Sequence, residues 1–235
     1  LDALARAHAL IAADAARQGE APVVHLGDYV DRGPESAEVV EYLRMGPARG
    51  GPWITLRGNH DAVFLAFLGE PDPSDPRLDA GRTLLQPSWG GAATLRSYGV
   101  TPEGRDIDEV RTETAARVPA EHRAFLSRLP PMHRVGAAAF VHAGIRPGIA
   151  LDAQDPQDLM WIRRGFLDDP RDHGVLVVHG HTALPAPRHH GNRVNLDGGA
   201  GYGRPLAVAA VEGRDVWLLT EGGRVALLPD AAGAP

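Results

Sequence analysis

The chain has 235 residues and a formal net charge of −6, and 43% of its residues are hydrophobic. This length and balance favour one folded α/β domain, and they exclude a disordered polar chain or a membrane protein. No segment concentrates basic residues, so nucleic acid is not an expected partner. Cys is absent, which excludes disulfides, thiolate metal sites and a Cys nucleophile. Any bound metal would therefore use nitrogen and oxygen ligands.

The first part of the chain predicts two strand–loop–helix units that follow an N-terminal helix. Each strand is a short apolar run that stops at a Gly, and each following helix has apolar residues at helical spacing. The predicted elements are a helix over 1–17, a strand over 22–27, a helix from Pro34 to Gly46 and Pro47, a strand over 53–57 and a helix over 62–68.

The remainder predicts a cap followed by two groups of strands, all within a single domain over 1–235. Residues 69–118 are expected to form an irregular cap, because the early part of this range is rich in Pro, Asp and Gly. Near the C-terminus, short apolar runs alternate with turn residues, which predicts a second, mainly antiparallel sheet. The later elements are a helix over 119–129 and strands over 137–141, 175–178, 193–196, 206–211, 216–220 and 225–228.

Four of the predicted strands deliver a polar side chain at their carboxyl ends, and each of these residues lies within two positions of a Gly. They are Asp28, Asn59, His142 and His181. In open α/β sheets the ligand crevice lies beyond these strand ends, so residues that are distant in sequence converge there. A carboxylate, an amide oxygen and two imidazoles suit Mn, Fe or Zn better than Ca. His25, which lies inside its strand, is not expected to be a ligand.

Two motifs, Gly-Asp-Tyr-Val-Asp-Arg-Gly over 27–33 and Gly-Asn-His-Asp over 58–61, resemble those of the calcineurin-like metallophosphoesterases. The similarity is greatest to the phosphoprotein phosphatase group, in the bacterial branch that includes the phage lambda-type protein phosphatases and the symmetrical diadenosine tetraphosphate hydrolases. It implies an α/β fold, a four-layer α-β-β-α sandwich with mixed sheets and a small irregular cap. Further segments that agree are 89–99, 141–144, 160–163, 179–182 and 196–200.

The resemblance implies a centre of two divalent metal ions, Mn, Fe or Zn, with Mn the ion expected in vitro. Asp28 would bridge the two ions, a role that needs an anionic group shared by both cations. Asn59, His142 and His181 would complete the coordination of the second ion. His179 is expected to support this site and not to bind metal.

The resemblance also implies four catalytic residues around the phosphate. Arg32 and Arg163 would bind the phosphate oxygens, since a guanidinium pairs two oxygens at once and keeps its charge. His60 would protonate the leaving alcohol, and Asp31 would orient the His60 ring. Hydroxide held at the metal centre would attack phosphorus directly, so no phosphoenzyme is expected.

One family motif, Gly-Asp-x-His-Gly, is absent from this sequence, which has no Asp-x-His before Asp28. We expect the first strand and this motif to lie just before Leu1, because the chain begins without an initiator Met. Without the motif, the first metal would lose two of its ligands. The chain would then bind one ion only or be inactive.

Three functions follow from these observations. The favoured one is a cytoplasmic metal-dependent phosphatase that acts on phosphoserine, phosphothreonine or small phosphate esters and binds neither nucleic acid nor membranes. The first alternative is a hydrolase of dinucleoside polyphosphates such as diadenosine tetraphosphate. The second alternative is a non-catalytic metal-binding scaffold, which the absent Asp-x-His supports.

Overall fold

The computed structural model describes residues 1–46, 52–70 and 84–230. Pro47 at the predicted end of the second helix and residues 71–83 of the predicted cap lie outside these ranges. The described helices are α1 Asp2–Gln18, α2 Ser36–Arg44, α3 Asn59–Phe67, α4 Gly91–Ser97, α5 Ile107–Arg117, α6 Ala120–Ser127 and α7 Pro156–Trp161.

The described strands are β1 Val23–His25, β2 Trp53–Thr55, β3 Met132–Val135, β4 Ala138–Val141, β5 Leu176–His179, β6 Arg188–His189, β7 Arg193–Asn195, β8 Ala209–Glu212, β9 Asp215–Thr220 and β10 Gly223–Ala226. They form three sheets. β1 and β2 pair in parallel, the five-stranded sheet has the order β3-β4-β5-β7-β6, and β10-β9-β8 form the antiparallel sheet predicted for the C-terminal part. The run over 193–196, which was predicted with this C-terminal group, instead gives β7, which pairs in parallel with β5. The five-stranded sheet is mixed, since β4, β5 and β7 are parallel and its two edge strands are antiparallel.

β5 is buried along its whole length because both of its faces are covered. Leu176 and Val178 pack with Val216 of β9. This contact fills the space between the five-stranded sheet and the β10-β9-β8 sheet. Val177 packs on the other side with Phe166 and with residues of α7. α1 lies on the outer side of the β10-β9-β8 sheet, where the ion pair between Asp14 and Arg224 joins it to β10. The predicted α-β-β-α arrangement is confirmed.

A separate apolar cluster joins α2 and α3 to the helices of the following segment, α4 to α6. α3 lies at the centre of this cluster, with all but one of its residues buried. It begins at Asn59, three residues earlier than the sequence pattern predicted. Asp61 explains the early start, because at the third helical position its carboxylate accepts the Gly58 N–H at 2.9 Å, as in a capping box. Residues of the Gly-Asn-His-Asp motif therefore form the first helical turn.

Candidate active site

The backbone of the candidate site is strained. Among the described residues, those other than Gly with positive φ are Asp28 (63°), Asp31 (74°), Arg32 (65°) and His181 (65°). Side chains disfavour this region, and such residues persist only where the surrounding structure holds them. All of them are site residues predicted from the sequence, so the strain is concentrated where the function was expected.

The structure brings together the side chains predicted as metal ligands. The Nε2 of His142 lies 3.0 Å from the Oδ1 of Asn59, 3.2 Å from the Nδ1 of His181 and 3.3 Å from the Oδ2 of Asp28. The Nδ1 of His181 lies 2.9 Å from the same amide oxygen. These atoms come from the ends of β1, β4 and β5 and from the start of α3. One divalent ion can contact all of them after small adjustments.

Hydrogen bonds at the back of the cluster orient the donor atoms. The Nδ1 of His142 donates to the carbonyl oxygen of Leu26 at 2.8 Å, so a neutral His142 presents the lone pair of Nε2 to the cluster. Burial, together with the neighbouring His142, lowers the pKa of His181 to about 3. Burial alone would raise the pKa of Asp28, but the adjacent His142 outweighs it and the pKa lies below its ordinary value. Burial alone would lower the pKa of His142, but the Asp28 carboxylate in turn outweighs it and raises this pKa. Once His142 gives up its proton, a carboxylate, an amide oxygen and two imidazoles form a donor set that fits a divalent transition-metal ion.

Gly58 and Gly27 allow the loops after β1 and β2 to approach each other. A Cβ at Gly58 would lie 2.1 Å from the Oδ1 of Asp28, and a Cβ at Gly27 would lie 2.6 Å from the backbone N of Gly58. Both positions therefore exclude a side chain. Asp61 then ties the loops together, since its buried carboxylate accepts the N–H groups of Asp28 and Tyr29, each at 2.9 Å. Burial, aided by the Asp28 charge, raises the pKa of Asp61 to about 7.

His60 and Asp31 form the closest polar contact of the site. The Nδ1 of His60 lies 2.6 Å from the Oδ2 of Asp31, and both side chains are buried. Thr94 of α4 holds Asp31 in place, because its hydroxyl donates to Asp31 Oδ1 at 2.8 Å and accepts the Asp31 N–H at 2.7 Å. Burial raises the pKa of Asp31 above its ordinary value. This chain of contacts fixes the ring of His60 and leaves its Nε2 facing Arg32.

The two predicted phosphate-binding arginines differ in their surroundings. The Nη2 of Arg32 lies 3.3 Å from the Nε2 of His60, and its guanidinium lies over the ring of Tyr202 at 4.7 Å. Its backbone N–H donates to the carbonyl oxygen of Gly90. Arg163, in the turn after α7, is exposed, and its Nη2 lies 3.5 Å from the carbonyl oxygen of His181. Both guanidinium groups therefore lie at the edge of the cluster.

Sequence reasoning gave no role to Thr94, although the residue lies inside a segment that matched the family. Asp61 entered the sequence analysis only as the last residue of the Gly-Asn-His-Asp motif, and it joins two loops of the site. The position of Asp61, three residues after a Gly that precedes a helix, was a usable signal for a cap. Thr94 carried no such signal, because its partner Asp31 is distant in the sequence.

The contacts of Thr94 lead to a first testable prediction. Thr94→Val keeps the side-chain shape but leaves the buried Asp31 N–H without its acceptor, a loss of about 1–3 kcal/mol. Because the His60 ring is then less well oriented, we expect turnover of a phosphate ester to fall roughly tenfold, with bound metal unchanged. Steady-state kinetics and metal analysis check this. Thr114→Val is the matched control, since Thr114 is also buried but its hydroxyl, among the described residues, bonds only to Val110 of its own helix. Equal activity of the two variants would contradict the role of Thr94.

A sandwich of this kind, with a nitrogen and oxygen cluster beside two guanidinium groups, defines a class of metal-dependent hydrolases of phosphate esters. The chain matches the calcineurin-like phosphoesterase family over residues 1–210. It belongs to this family, which uses divalent metal ions. In the described part of the chain, Asp28, His142 and His181 form a group that could hold one.

Two curated relatives are symmetrical bis(5'-nucleosyl)-tetraphosphatases. The protein of Aromatoleum aromaticum is 29% identical over 123 residues, which cover 52% of this chain and 33% of that protein. The protein of Methylococcus capsulatus is 30% identical over 122 residues, which cover 52% of this chain and 32% of that protein. The matched region thus spans about a third of the length of these relatives.

Solved structures show the same fold at low sequence identity. The cold-active protein-tyrosine phosphatase of a psychrophilic Shewanella species has a TM-score of 0.55 and 18% identity, over 89% of this chain and 70% of that one. A point variant of a cold-active protein tyrosine phosphatase has a TM-score of 0.62 and 18% identity, over 97% of this chain and 76% of that one. Within the described residues, no helix has the length and apolar character needed to cross a bilayer.

Proposed function

We propose that this protein is a metal-dependent phosphatase of phosphomonoesters, with phosphoserine and phosphothreonine as its expected substrates. The observation that carries the proposal is the His60–Asp31 pair, held at 2.6 Å beside Arg32. An alkoxide is a poor leaving group and needs a proton as the bond to phosphorus breaks, whereas the phosphate released from an anhydride needs this help less. A well-oriented general acid therefore favours ester substrates.

In this proposal, Asp28, Asn59, His142 and His181 would hold a divalent ion such as Mn, Fe or Zn, and Asp28 would also serve as a ligand of a second ion. When bound, the metal supplies the polarisation that makes water a nucleophile near neutral pH.

Arg32 and Arg163 bind the non-bridging oxygens of the phosphate and stabilise their charge during the reaction. The Nε2 of His60, which accepts from Arg32 in the structure, would be protonated and released from this contact to donate to the departing oxygen once Arg32 binds the phosphate. Asp31 keeps this ring in place through Nδ1 and stabilises its positive charge.

A second candidate is the symmetrical hydrolysis of dinucleoside tetraphosphates. The activity named for the curated relatives favours it. Tyr202 also favours it, because 63% of this residue is exposed while its ring lies against Arg32. An exposed aromatic ring beside a phosphate-binding group can stack on a nucleobase.

The experiment that separates these functions compares two substrates on the Mn-loaded protein. A phosphoserine peptide is assayed for released phosphate and diadenosine tetraphosphate for ADP, at equal substrate concentrations. We expect kcat/KM to be at least tenfold higher for the peptide, which is a difference of about 1.4 kcal/mol in transition-state stabilisation.

The Asp28→Asn protein, prepared in the same way, is the control for contaminating phosphatases. A higher kcat/KM for diadenosine tetraphosphate would replace the proposal with the second candidate. If the metal-loaded protein hydrolyses neither substrate, both are wrong and the scaffold interpretation stands.

A further inference from the structure

Arg193 of β7 is a buried guanidinium outside the predicted site. Only 6% of the residue is exposed. Its Nη2 donates to the carbonyl oxygen of Leu167 at 2.7 Å, its Nη1 lies 3.2 Å from the Nε2 of His179, and its guanidinium lies 5.7 Å from the centre of the Phe166 ring. In the described ranges, none of its hydrogen bonds is to a carboxylate. Burial lowers the pKa of Arg193, and the charges of Asp168 and Asp230 oppose this without bonding to the guanidinium. Burying a charge with no bonded opposite partner is costly, so this arrangement calls for a functional explanation.

The guanidinium determines where His179 carries its proton. His179 is fully buried at the end of β5. Because Arg can only donate hydrogen bonds, the Nε2 of His179 has to accept one, and its single proton lies on Nδ1. The Nδ1 lies 3.0 Å from the carbonyl oxygen of Gly180, to which it donates. Arg193 thus acts on the Gly180 peptide through one imidazole ring.

The backbone of Gly180 connects both histidines of the proposed metal cluster. Its carbonyl oxygen also accepts the N–H of Thr182 at 2.7 Å, which closes a three-residue turn around His181. Such a turn with a positive central φ is rare and strained, and φ of His181 is 65°. On its other side, the Gly180 N–H donates to the carbonyl oxygen of His142 at 2.8 Å. Rotation of the peptide between Gly180 and His181 would move the His181 ring away from the other donors.

We propose that Arg193 and His179 are positioning residues that hold the strained turn of His181 and so set the metal affinity of the site. The inference rests on the proposed function in one respect, namely that His181 binds metal. Arg193 fixes the tautomer of His179, His179 bonds the Gly180 carbonyl, and that carbonyl keeps His181 in its left-handed conformation. Neither residue touches the substrate.

The test measures the Kd of Mn²⁺ by calorimetry on metal-free protein, for the wild type, Arg193→Met, His179→Phe and the double variant. Loss of an outer partner of a metal ligand typically weakens affinity by 10–100-fold, so we expect each single variant to raise Kd by about tenfold. The Kd of the double variant should equal that of the single variant with the lower affinity, because the effects of two residues that act through one another do not add. Arg188→Met is the control, since Arg188 lies on the neighbouring strand and pairs with Asp230 at the surface.

Nitrogen-15 NMR of the metal-free wild type tests the same inference without a substitution. A His179 ring protonated on Nδ1 is expected, and a ring protonated on Nε2 would overturn the proposal. A lowered Tm with an unchanged Kd, or a double variant with multiplied effects, would overturn it as well. These readouts do not depend on hydrolysis. If the variants show the expected changes in Mn²⁺ affinity but the wild type hydrolyses neither substrate, the proposed function is wrong and the inference about Arg193 and His179 still holds.

Discussion

Asp28→Asn is expected to remove bound metal and to lower phosphatase turnover by roughly a thousandfold, because several kcal/mol of transition-state stabilisation depend on the metal. Asn is the substitution of choice at this position. Like Asp, it tolerates the left-handed backbone, where Asp28 has a φ of 63°. Its amide oxygen can also keep the bond that Asp28 Oδ1 accepts from the His60 N–H at 3.0 Å. The variant therefore removes the negative charge and leaves the loop intact.

Metal content by mass spectrometry and kcat with a phosphate ester check this prediction. Asp152→Asn is the matched control, since Asp152 is exposed and lies outside the site. If Asp28→Asn retained the metal content of the wild type, the Asp28 carboxylate would not be a ligand. The proposed metal centre would then have to be abandoned.

His60→Ala is expected to lower kcat by about 10²–10⁴-fold for esters of ordinary alcohols, with bound metal close to normal, because it removes the general acid. The backbone N–H of His60, which bonds Asp28, is still present in the variant. The loss should depend on the leaving group. Nitrophenyl phosphate releases a stable anion that hardly needs a proton, so its hydrolysis should fall far less than that of phosphoserine.

Comparing the two substrates shows whether His60 acts as a general acid or only supports the geometry of the site. If the phosphoserine peptide and nitrophenyl phosphate lost the same factor, His60 would act by positioning and not by proton donation. His122→Ala serves as the control. His122 is also buried, but its ring contacts Tyr98 and Glu41 and none of the candidate ligands.

The positions of most strands along the chain, and of the candidate ligands at their ends, could be predicted because both depend on local patterns. The edge strands β3 and β6 were not predicted, and neither was the order of the strands within the sheets. Short apolar runs that stop at a Gly marked β1, β2, β4 and β5, and the polar residues after them lie together in the structure. The start of α3 could not be predicted in this way. Asn59 and His60 belong to its first turn because Asp61 caps the helix from within, a contact that overrides the usual propensities of these residues.

The contacts between distant segments were out of reach for the sequence alone. Thr94 supports Asp31 across 63 residues, and Tyr202 lies against Arg32 only after the chain has passed through all strands of the five-stranded sheet. Neither pairing follows from a periodicity, because each depends on how the layers pack. The tautomer of His179 is likewise decided by the neighbouring strand, where Arg193 is its only donor in the described residues.

Asp61 has a mechanical consequence for how a substrate could enter. Its single carboxylate fastens the loop after β1 to the first turn of α3, so we expect these two parts to move together as one stiff unit. Adjustment to a bulky or a slender substrate would then fall to other residues beside the site, such as Trp89, whose ring packs against His60, and Tyr202, whose ring lies against Arg32.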